Sequence, residues 1–246
     1  MDERTRIRDE RREDYKTLSD VMWDQVVYLR TGCYLLRQIA EFPLKPFTSP
    51  DDRWFLAVVH RALYEAVLMG ISKLLTDVGP DVVTIRRGRN IVLEMLKEEF
   101  RPSFKAKLKE SKLEKSCEDL ANRVREIRNG ECAHLLEDSV KRGSLPSLDL
   151  TELEALLAQV EHLYQPLLFG ASATFLPDKY DPEIRAANPP AATDIERILL
   201  LFARESFVVN EPEIKAPWWD DIRTKRSREQ IAFMNHWRVK CGLPEA

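Results

Sequence analysis

Three side chains suited to phosphodiester chemistry lie close together in the sequence: Arg128, Asn129 and His134. A histidine exchanges protons near neutral pH because its unperturbed pKa is about 6.5. An arginine matches a phosphate with a planar fork of donors and stabilises the charge that develops on it, and an asparagine can orient either group. These residue types favour metal-free cleavage of RNA, which carries its own nucleophile, the 2′-hydroxyl.

The same residues fall on a predicted helix that packs through one face. Upstream, apolar residues alternate at intervals of four and three, which is typical of a helix in a bundle. They are Leu113, Cys117, Leu120, Val124 and Ile127. The same spacing places Glu131 and His134 where apolar side chains are expected. Polar groups on a packing face cost free energy unless they are paired or used, so this conflict indicates a candidate functional site.

A second interpretation of this stretch stays open. If the helical pattern slips by one residue at Gly130, Leu135 and Leu136 take over the packing face. His134 then points to solvent and has no catalytic role. Pattern alone does not decide between the two.

The supporting residues around this histidine are also candidates. Glu131 is placed to fix the imidazole tautomer of His134 or to contact a neighbouring helix, and Arg125 is a second candidate for support. One helix supplies only one histidine, whereas acid–base cleavage is most efficient with two proton-transfer groups. A two-fold dimer in which two such helices face each other would supply the second.

Cationic residues upstream are candidate contacts for an RNA backbone. Three crowd the first turn of a predicted helix, although cations at that end oppose the helix dipole: Arg86, Arg87 and Arg89. Three more lie early in the next predicted helix, where few acids accompany them: Lys105, Lys109 and Lys112. An ordinary solvated helix surface explains both groups equally well.

Composition favours a helical protein. The chain has 246 residues, 44% of them apolar and 32% charged, with only 8 glycines, so charged runs interleaved with aliphatic residues indicate helices rather than sheets. The net charge of −3 excludes a protein that coats nucleic acid, although a local basic patch remains compatible with it.

Cysteine usage and hydropathy predict a cytoplasmic protein without a metal or a cofactor. The four cysteines form no C-x-x-C pair, which argues against a zinc site or a disulfide framework. The charged stretch Met1–Arg12 lacks a secretory apolar region. The longest apolar run, Ile198–Ala203, is too short to span a bilayer, so no membrane association is expected.

Periodicity and proline positions predict two segments. Residues 1–176 are expected to form a helical bundle with a charged lead at residues 1–18, which is either a solvated charge run or an extension of the first helix. Residues 177–246 are expected to form a proline-rich connector and a helical C-terminal extension. The predicted helices are Ser19–Phe42, Asp52–Leu75, Ile85–Phe100, Ser103–Lys141, Leu148–Ala173, Asp194–Phe207 and Arg223–Lys240.

The first, second, third and fifth of these helices carry further details. Residues Ser19, Thr84 and Thr151 are predicted N-caps, the last paired with Glu154 in a capping box. Ser72 is one of the few polar positions on the otherwise apolar second helix.

The chain resembles the HEPN superfamily, and within it the abortive-infection AbiU-like branch. Arg128 and His134 match its Arg-x(4 to 6)-His motif. The wider similarity covers Ser19–Ala173 and includes LYEAVLMGISKLLTD, TIRRGRN and VREIRNGECAHL. The family's motif arginine corresponds to Arg128, the following polar residue to Asn129 and the histidine to His134. Gly130 departs from the motif because a flexible residue there can loosen its geometry.

This resemblance implies an all-α, HEPN-like helical bundle that forms a homodimer and cleaves RNA without metal in the groove between protomers. Many such proteins are toxins of toxin–antitoxin or antiviral phage-defence systems, so an antitoxin protein is an implied partner. The alternative is a non-catalytic bundle that binds RNA or a nucleotide, or that serves as a dimerisation scaffold. A plain helical interaction protein is the third reading.

Overall fold

A computed structural model describes residues 6–42, 53–76, 83–110, 112–129, 148–168, 193–209 and 228–243. Within these ranges the backbone forms eight α-helices and no strand, which confirms the all-α class. The helices are α1 (Arg12–Glu41), α2 (Arg53–Thr76), α3 (Ile85–Met95), α4 (Arg101–Glu110), α5 (Leu113–Arg128), α6 (Leu150–Tyr164), α7 (Asp194–Val209) and α8 (Arg228–Lys240).

The chain folds into two compact units. The first is formed by Met1–Leu36 and Ala62–Asp181, and the second by Arg37–Arg61 and Pro182–Ala246. Helices α1 and α2 therefore each contribute to both units. The sequence-based division after residue 176 stays a prediction.

The first unit has a core to which six helices, α1 to α6, contribute. Its largest fully buried side chains include Leu29, Leu36, Leu68, Ile71, Ile85, Leu113, Leu153, Leu156 and Leu157. The apolar face predicted for α5 is confirmed, because each of its five members from Leu113 to Ile127 is buried. The site-bearing helix is thus fixed to the core along its whole described length.

Helices α1 and α2 approach closely through one glycine each. A Cβ built on Gly32 would lie 2.6 Å from Cγ2 of Val67, and one on Gly70 would collide with the side chain of Leu29. Each glycine therefore makes room for a branched side chain of the other helix, and both branched side chains are buried. This close approach holds the part of α2 that precedes Ser72 against the core.

The predicted helix Ser103–Lys141 is wrong in its continuity. Helix α4 ends at Glu110, Lys112 has a left-handed backbone (φ 50°), and α5 begins at Leu113. The last buried residue of α4, Leu108, is five residues from Leu113, and five helical residues turn a side chain by about 140°. A continuous helix would point these two leucines in different directions, whereas the break lets both reach the core.

The charged lead extends the first helix in part, which is one of the two predictions made for it. Helix α1 begins at Arg12 rather than at Ser19, which lies inside it. Ile7 is fully buried and forms an antiparallel bridge with Leu96. The backbone N–H of Arg8 donates to the carbonyl of Met95 at 2.9 Å. Backbone hydrogen bonds and one buried apolar residue thus hold this segment in place. Its many charged residues do not indicate this order from the sequence.

The capping predictions had mixed outcomes. Thr84 caps α3 by accepting a hydrogen bond from the backbone N–H of Arg87 at 3.2 Å, as predicted. The capping box of α6 uses Asp149 and Glu152 instead of Thr151 and Glu154. An aspartate two residues earlier offers the same acceptor, so the helix begins two residues sooner than the predicted box would allow.

The helices that follow those caps end earlier than predicted. Helix α3 ends at Met95, and a short 3-10 turn at Glu98–Phe100 follows it. Helix α6 ends at Tyr164 and continues as a 3-10 turn at Gln165–Leu168. That turn contains Pro166, which has no backbone N–H to continue the α-helix.

The second unit has its own small apolar cluster. Phe42, Leu199 and Ala203 are buried in it, and partly buried residues of α8 pack against them. The rings of Phe42 and Trp237 meet edge to face with centroids 5.4 Å apart. Trp237 thus packs α8 against Phe42 within this unit.

Within the part of the chain that the structure describes, one helix meets the length and hydropathy criteria for a membrane span. Residues Phe55–Thr76 of α2 have a mean hydropathy of 1.4 over the best window. Of that window 33% is buried in the protein, including Leu68 and Ile71 in the core of the first unit.

Candidate functional site

The described part of the candidate site is at the C-terminal end of α5. Arg128 is the last residue of the helix, and Asn129 follows it with a helical backbone (φ −67°, ψ −35°). The guanidinium of Arg128 forks onto the side-chain oxygen of Asn129, with Nε at 3.4 Å and Nη2 at 3.2 Å from Oδ1. Both residues are half-buried. The structure therefore brings together two of the three predicted catalytic residues.

A residue of α2 holds the other side of the guanidinium. Nη1 of Arg128 donates to Oγ of Ser72 at 3.3 Å, and Ser72 is buried, with 1% of its surface exposed. In the sequence, Ser72 stands out only as a polar position on an apolar helix. The available signal was a small hydroxyl residue on a helix whose neighbouring positions are apolar.

The hydrogen bonds around Ser72 have a fixed direction. The hydroxyl of Thr76 donates to the carbonyl of Ser72 at 2.9 Å, so its single hydrogen is used. The two hydroxyl oxygens lie 3.0 Å apart, and Ser72 must therefore be the donor to Thr76. Oγ of Ser72 then has only lone pairs left to offer, which makes it an acceptor for Arg128. These hydrogen bonds therefore present an acceptor oxygen, Oγ of Ser72, to the cationic guanidinium of Arg128.

This arrangement leaves part of the guanidinium free for a ligand. Arginine has five N–H donors, and three are engaged by Asn129 and Ser72 among the described residues. Two donors on one planar group remain, which is the number that a phosphate accepts from one side. Arg128 is thus both positioned and able to bind an anion.

The remaining motif residues are outside what the structure describes or lie beside the pair. His134, Glu131 and Gly130 fall outside the described residues. Arg125 is exposed one turn before Arg128 and donates to Oδ1 of Asn122 at 3.2 Å. The predicted supporting roles of Glu131 and Arg125 stay predictions.

The arginines of α3 face carboxylates of α5. Arg89 forms an ion pair with Glu114, and Arg86 lies 3.8 Å from a carboxylate oxygen of Glu118. The hydrogen bond from Arg89 holds the pKa of the Glu114 carboxyl below its usual value. Arg87 contributes its backbone N–H to the cap of α3. The predicted RNA contacts Arg86 and Arg89 are thus partly neutralised by these pairs.

The three predicted lysine contacts line one cleft. Lys105, Lys109 and Lys112 surround a space of about 450 Å³ together with Arg89. The cleft lies at the N-terminal end of α5, opposite to the end that carries Arg128. The structure therefore brings these four predicted contacts together, whereas Arg86 and Arg87 are not among the residues that line this cleft.

Two cysteines of the first unit lie in its core. Cys33 and Cys117 are both buried, and neither is in a disulfide. Burial raises the pKa of the Cys117 thiol to about 11, so very little thiolate forms at neutral pH. Among the described residues no group of three histidine, cysteine or acidic side chains could hold a metal ion.

Comparison with known families agrees with the motif. The family model of AbiU2, a HEPN domain, matches residues 34–188 and so covers more than half of the chain. The chain belongs to the HEPN AbiU2 family. No curated protein and no solved structure matches it.

The matched region of this AbiU2-family protein contains all of the candidate site. It includes Ser72, the Arg128–Asn129 pair and His134, as well as the lysine cleft. Helices α7 and α8 follow the matched region. Membership confirms the predicted superfamily and branch, and it identifies the chain as a HEPN-type abortive-infection protein.

Proposed function

We propose that this protein is a metal-independent endoribonuclease that acts as a toxin or a phage-defence protein. The observation that carries the proposal is the guanidinium of Arg128, which Ser72 and Asn129 hold from two sides while two of its donors stay free among the described residues. His134 follows six residues later in the motif. A held cation and a nearby proton-transfer group are what RNA cleavage needs.

The proposed reaction uses the 2′-hydroxyl of RNA as nucleophile. His134 accepts its proton while the 2′-oxygen forms a bond to phosphorus, and Arg128 stabilises the charge on the phosphoryl oxygens. The bond from phosphorus to the 5′-oxygen breaks, and a protonated group gives that oxygen a proton. The products are a 2′,3′-cyclic phosphate and a 5′-hydroxyl end. Release of those ends in the presence of EDTA, with loss in His134→Ala, is the test.

A homodimer belongs to this proposal because the mechanism needs two proton-transfer groups and each chain offers one motif histidine. Sedimentation velocity at micromolar concentration is expected to show a dimer for the wild type. A protein that stays monomeric under those conditions and still cleaves RNA would contradict this part of the proposal. An antitoxin protein as partner and a cytoplasmic location are proposed with it.

A non-catalytic bundle that binds RNA or a nucleotide, or serves as a dimerisation scaffold, is a second candidate function. The half-burial of Arg128 and its three internal hydrogen bonds favour it, because they also describe an arginine that stabilises the bundle. The two functions differ in one result: the binding module retains RNA without cleaving it.

Removal of the Ser72 hydroxyl is expected to slow cleavage without unfolding the protein. In Ser72→Ala the guanidinium of Arg128 loses one of its two anchors but keeps Asn129. One hydrogen bond to a charged group is worth roughly 1.5 kcal/mol, so kcat should fall about tenfold. Single-turnover cleavage and thermal unfolding, measured on the same preparation, check this.

Thr76→Val is the companion variant. It has nearly the same shape as threonine but cannot accept the hydrogen bond from Ser72, so the hydroxyl of Ser72 is free to turn toward Arg128. We expect kcat to fall in Thr76→Val as well, but by a smaller factor than in Ser72→Ala. Full activity in Ser72→Ala would show that the position of Arg128 does not depend on α2.

A further inference from the structure

A cleft with a basic rim and an apolar floor lies at the far end of the site-bearing helix. Its rim includes Lys105 and Lys109 of α4, and Lys112 and Lys115 at the start of α5. Leu93, Leu108 and Leu113 also line it. Its volume of about 450 Å³ is that of a small-molecule or nucleotide site.

The charges of the cleft are strongly unbalanced. Five cations line it, the four lysines and Arg89, against the single carboxylate of Glu114. That carboxylate is already paired with Arg89. None of the four lysines forms an ion pair with another residue of the described ranges. A concentration of solvated like charges over low-dielectric walls attracts anions.

An exposed stripe of α5 runs from the cleft toward the Arg128 end. Positions 114, 118, 122 and 125 are exposed and recur at helical spacing, so they share one side of the helix with the half-buried Asn129. Helix α5 has 16 residues, which corresponds to about 24 Å between its two ends. Arg86 and Arg89 pair with the two carboxylates of the stripe, so its negative charge is compensated.

We infer that this cleft binds the phosphate backbone of a single-stranded RNA several nucleotides away from the bond that the Arg128 site cleaves. The inference rests on the proposed ribonuclease function, and it assigns that enzyme a second contact with its substrate. The leucine floor receives a base or a sugar, and the lysines neutralise successive phosphates.

The spacing of the lysines favours a polyanion over one phosphate. Lys105 and Lys109 lie one turn apart on the same side of α4, about 6 Å along the helix. Lys112 and Lys115 continue the positive charge beyond the break onto α5. Separate charges along a path match the successive phosphates of a strand, whereas a single anion would need them to converge.

The backbone of Lys112 supports a role for its side chain. It is the one residue of the described ranges other than glycine with a positive φ, at 50°, and it lies at the N-cap position of α5 without a side-chain hydrogen bond to the helix. Asparagine adopts this conformation more easily and caps helices better. A lysine at this position therefore adds positive charge to the cleft at a cost in local stability.

The test measures RNA binding in a protein that does not cleave. Fluorescence anisotropy with a labelled single-stranded 12-nucleotide RNA is recorded in the His134→Ala background over a range of salt concentrations. The double variant Lys105→Ala/Lys109→Ala is expected to bind about tenfold more weakly at low salt. Its log–log salt slope should fall by about 1.4, because each lost phosphate contact contributes about 0.7.

A charge-matched variant controls for net charge. Lys16→Ala/Lys107→Ala removes two exposed lysines that do not line the cleft, and it is expected to leave affinity and slope nearly unchanged. Equal weakening in both double variants, or no weakening in either, would overturn the inference. The variant Lys112→Asn provides a second test. Its RNA affinity should be lower than that of the wild type, while its melting temperature should be equal or higher.

Substrate length separates this inference from the ribonuclease proposal. In the wild-type background the cleft variant should raise KM for the 12-nucleotide RNA and leave cleavage of a dinucleotide unchanged, because a dinucleotide cannot reach across about 24 Å. If RNA binding depends on the cleft lysines but the wild type does not cleave RNA, the cleft is an RNA-binding site and the proposed ribonuclease function is wrong. If the cleft variant cleaves RNA and binds it with wild-type affinity, the inference about the cleft is wrong and the ribonuclease proposal is unaffected.

Discussion

Replacement of Arg128 by lysine is expected to reduce RNA cleavage almost as strongly as replacement by alanine. The arginine is held by a fork onto Asn129 and by a single bond to Ser72, and its free donors lie in the same plane. A lysine keeps the charge but concentrates its donors at one flexible point. Loss of a preorganised transition-state donor costs about 100- to 1000-fold in kcat. Single-turnover cleavage by Arg128→Lys and Arg128→Ala measures it.

Arg123 provides the matched control for this prediction. It is an exposed arginine on the same helix, five residues before the motif. Arg123→Lys and Arg123→Ala should retain the wild-type rate, and all four variants should keep their helical circular dichroism. Nearly full activity of Arg128→Lys would show that only charge is needed and that the hydrogen-bonded geometry is irrelevant to cleavage.

Removal of the Glu161 carboxylate is expected to give the largest loss of stability among single polar substitutions. Nε of Arg30 in α1 donates to Oε1 of Glu161 in α6 at 2.8 Å, and Nη2 pairs with the other oxygen. The two side chains are 26% and 10% exposed. In Glu161→Ala the guanidinium stays half-buried without its partner, so the free energy of unfolding should fall by about 3 kcal/mol. Urea-induced unfolding followed by circular dichroism measures it.

A double variant separates lost pairing from lost burial. Arg30→Leu/Glu161→Leu replaces both charges with apolar side chains, and it should be clearly more stable than Glu161→Ala because no uncompensated charge remains. Asp14→Ala breaks an exposed ion pair of α1 with Arg11 and should cost about 1 kcal/mol or less. If the double variant were the least stable of the three, the pair would be a net source of stability.

Much of the fold follows from local pattern. The spacing of apolar residues in α5 and α6 predicts their buried faces because these helices bury one side only, and Thr84 is recognisable as a cap by residue type. The break at Lys112 was not predictable in this way. No glycine or proline marks it, and it exists because the buried faces on its two sides must both meet the core, which is a tertiary requirement.

The candidate site, like the fold, could be predicted from the sequence only in part. The motif types and spacing identified Arg128 and Asn129, and the structure places these two in contact. Ser72 lies 56 positions earlier on another helix, so only the packing of α2 against α5 reveals that its hydroxyl accepts from Arg128. The lysine cleft likewise lies at the break between α4 and α5, which the prediction of one continuous helix did not contain.

The central claim is tested most directly by RNA cleavage in EDTA with purified wild type, His134→Ala and Arg128→Ala side by side. Products are examined for a 2′,3′-cyclic phosphate and a 5′-hydroxyl. We expect the wild type to cleave with these ends, and both folded variants to lose cleavage. Equal cleavage by all three proteins, or none by the folded wild type on transfer, ribosomal and messenger RNA, would contradict a ribonuclease built on this motif.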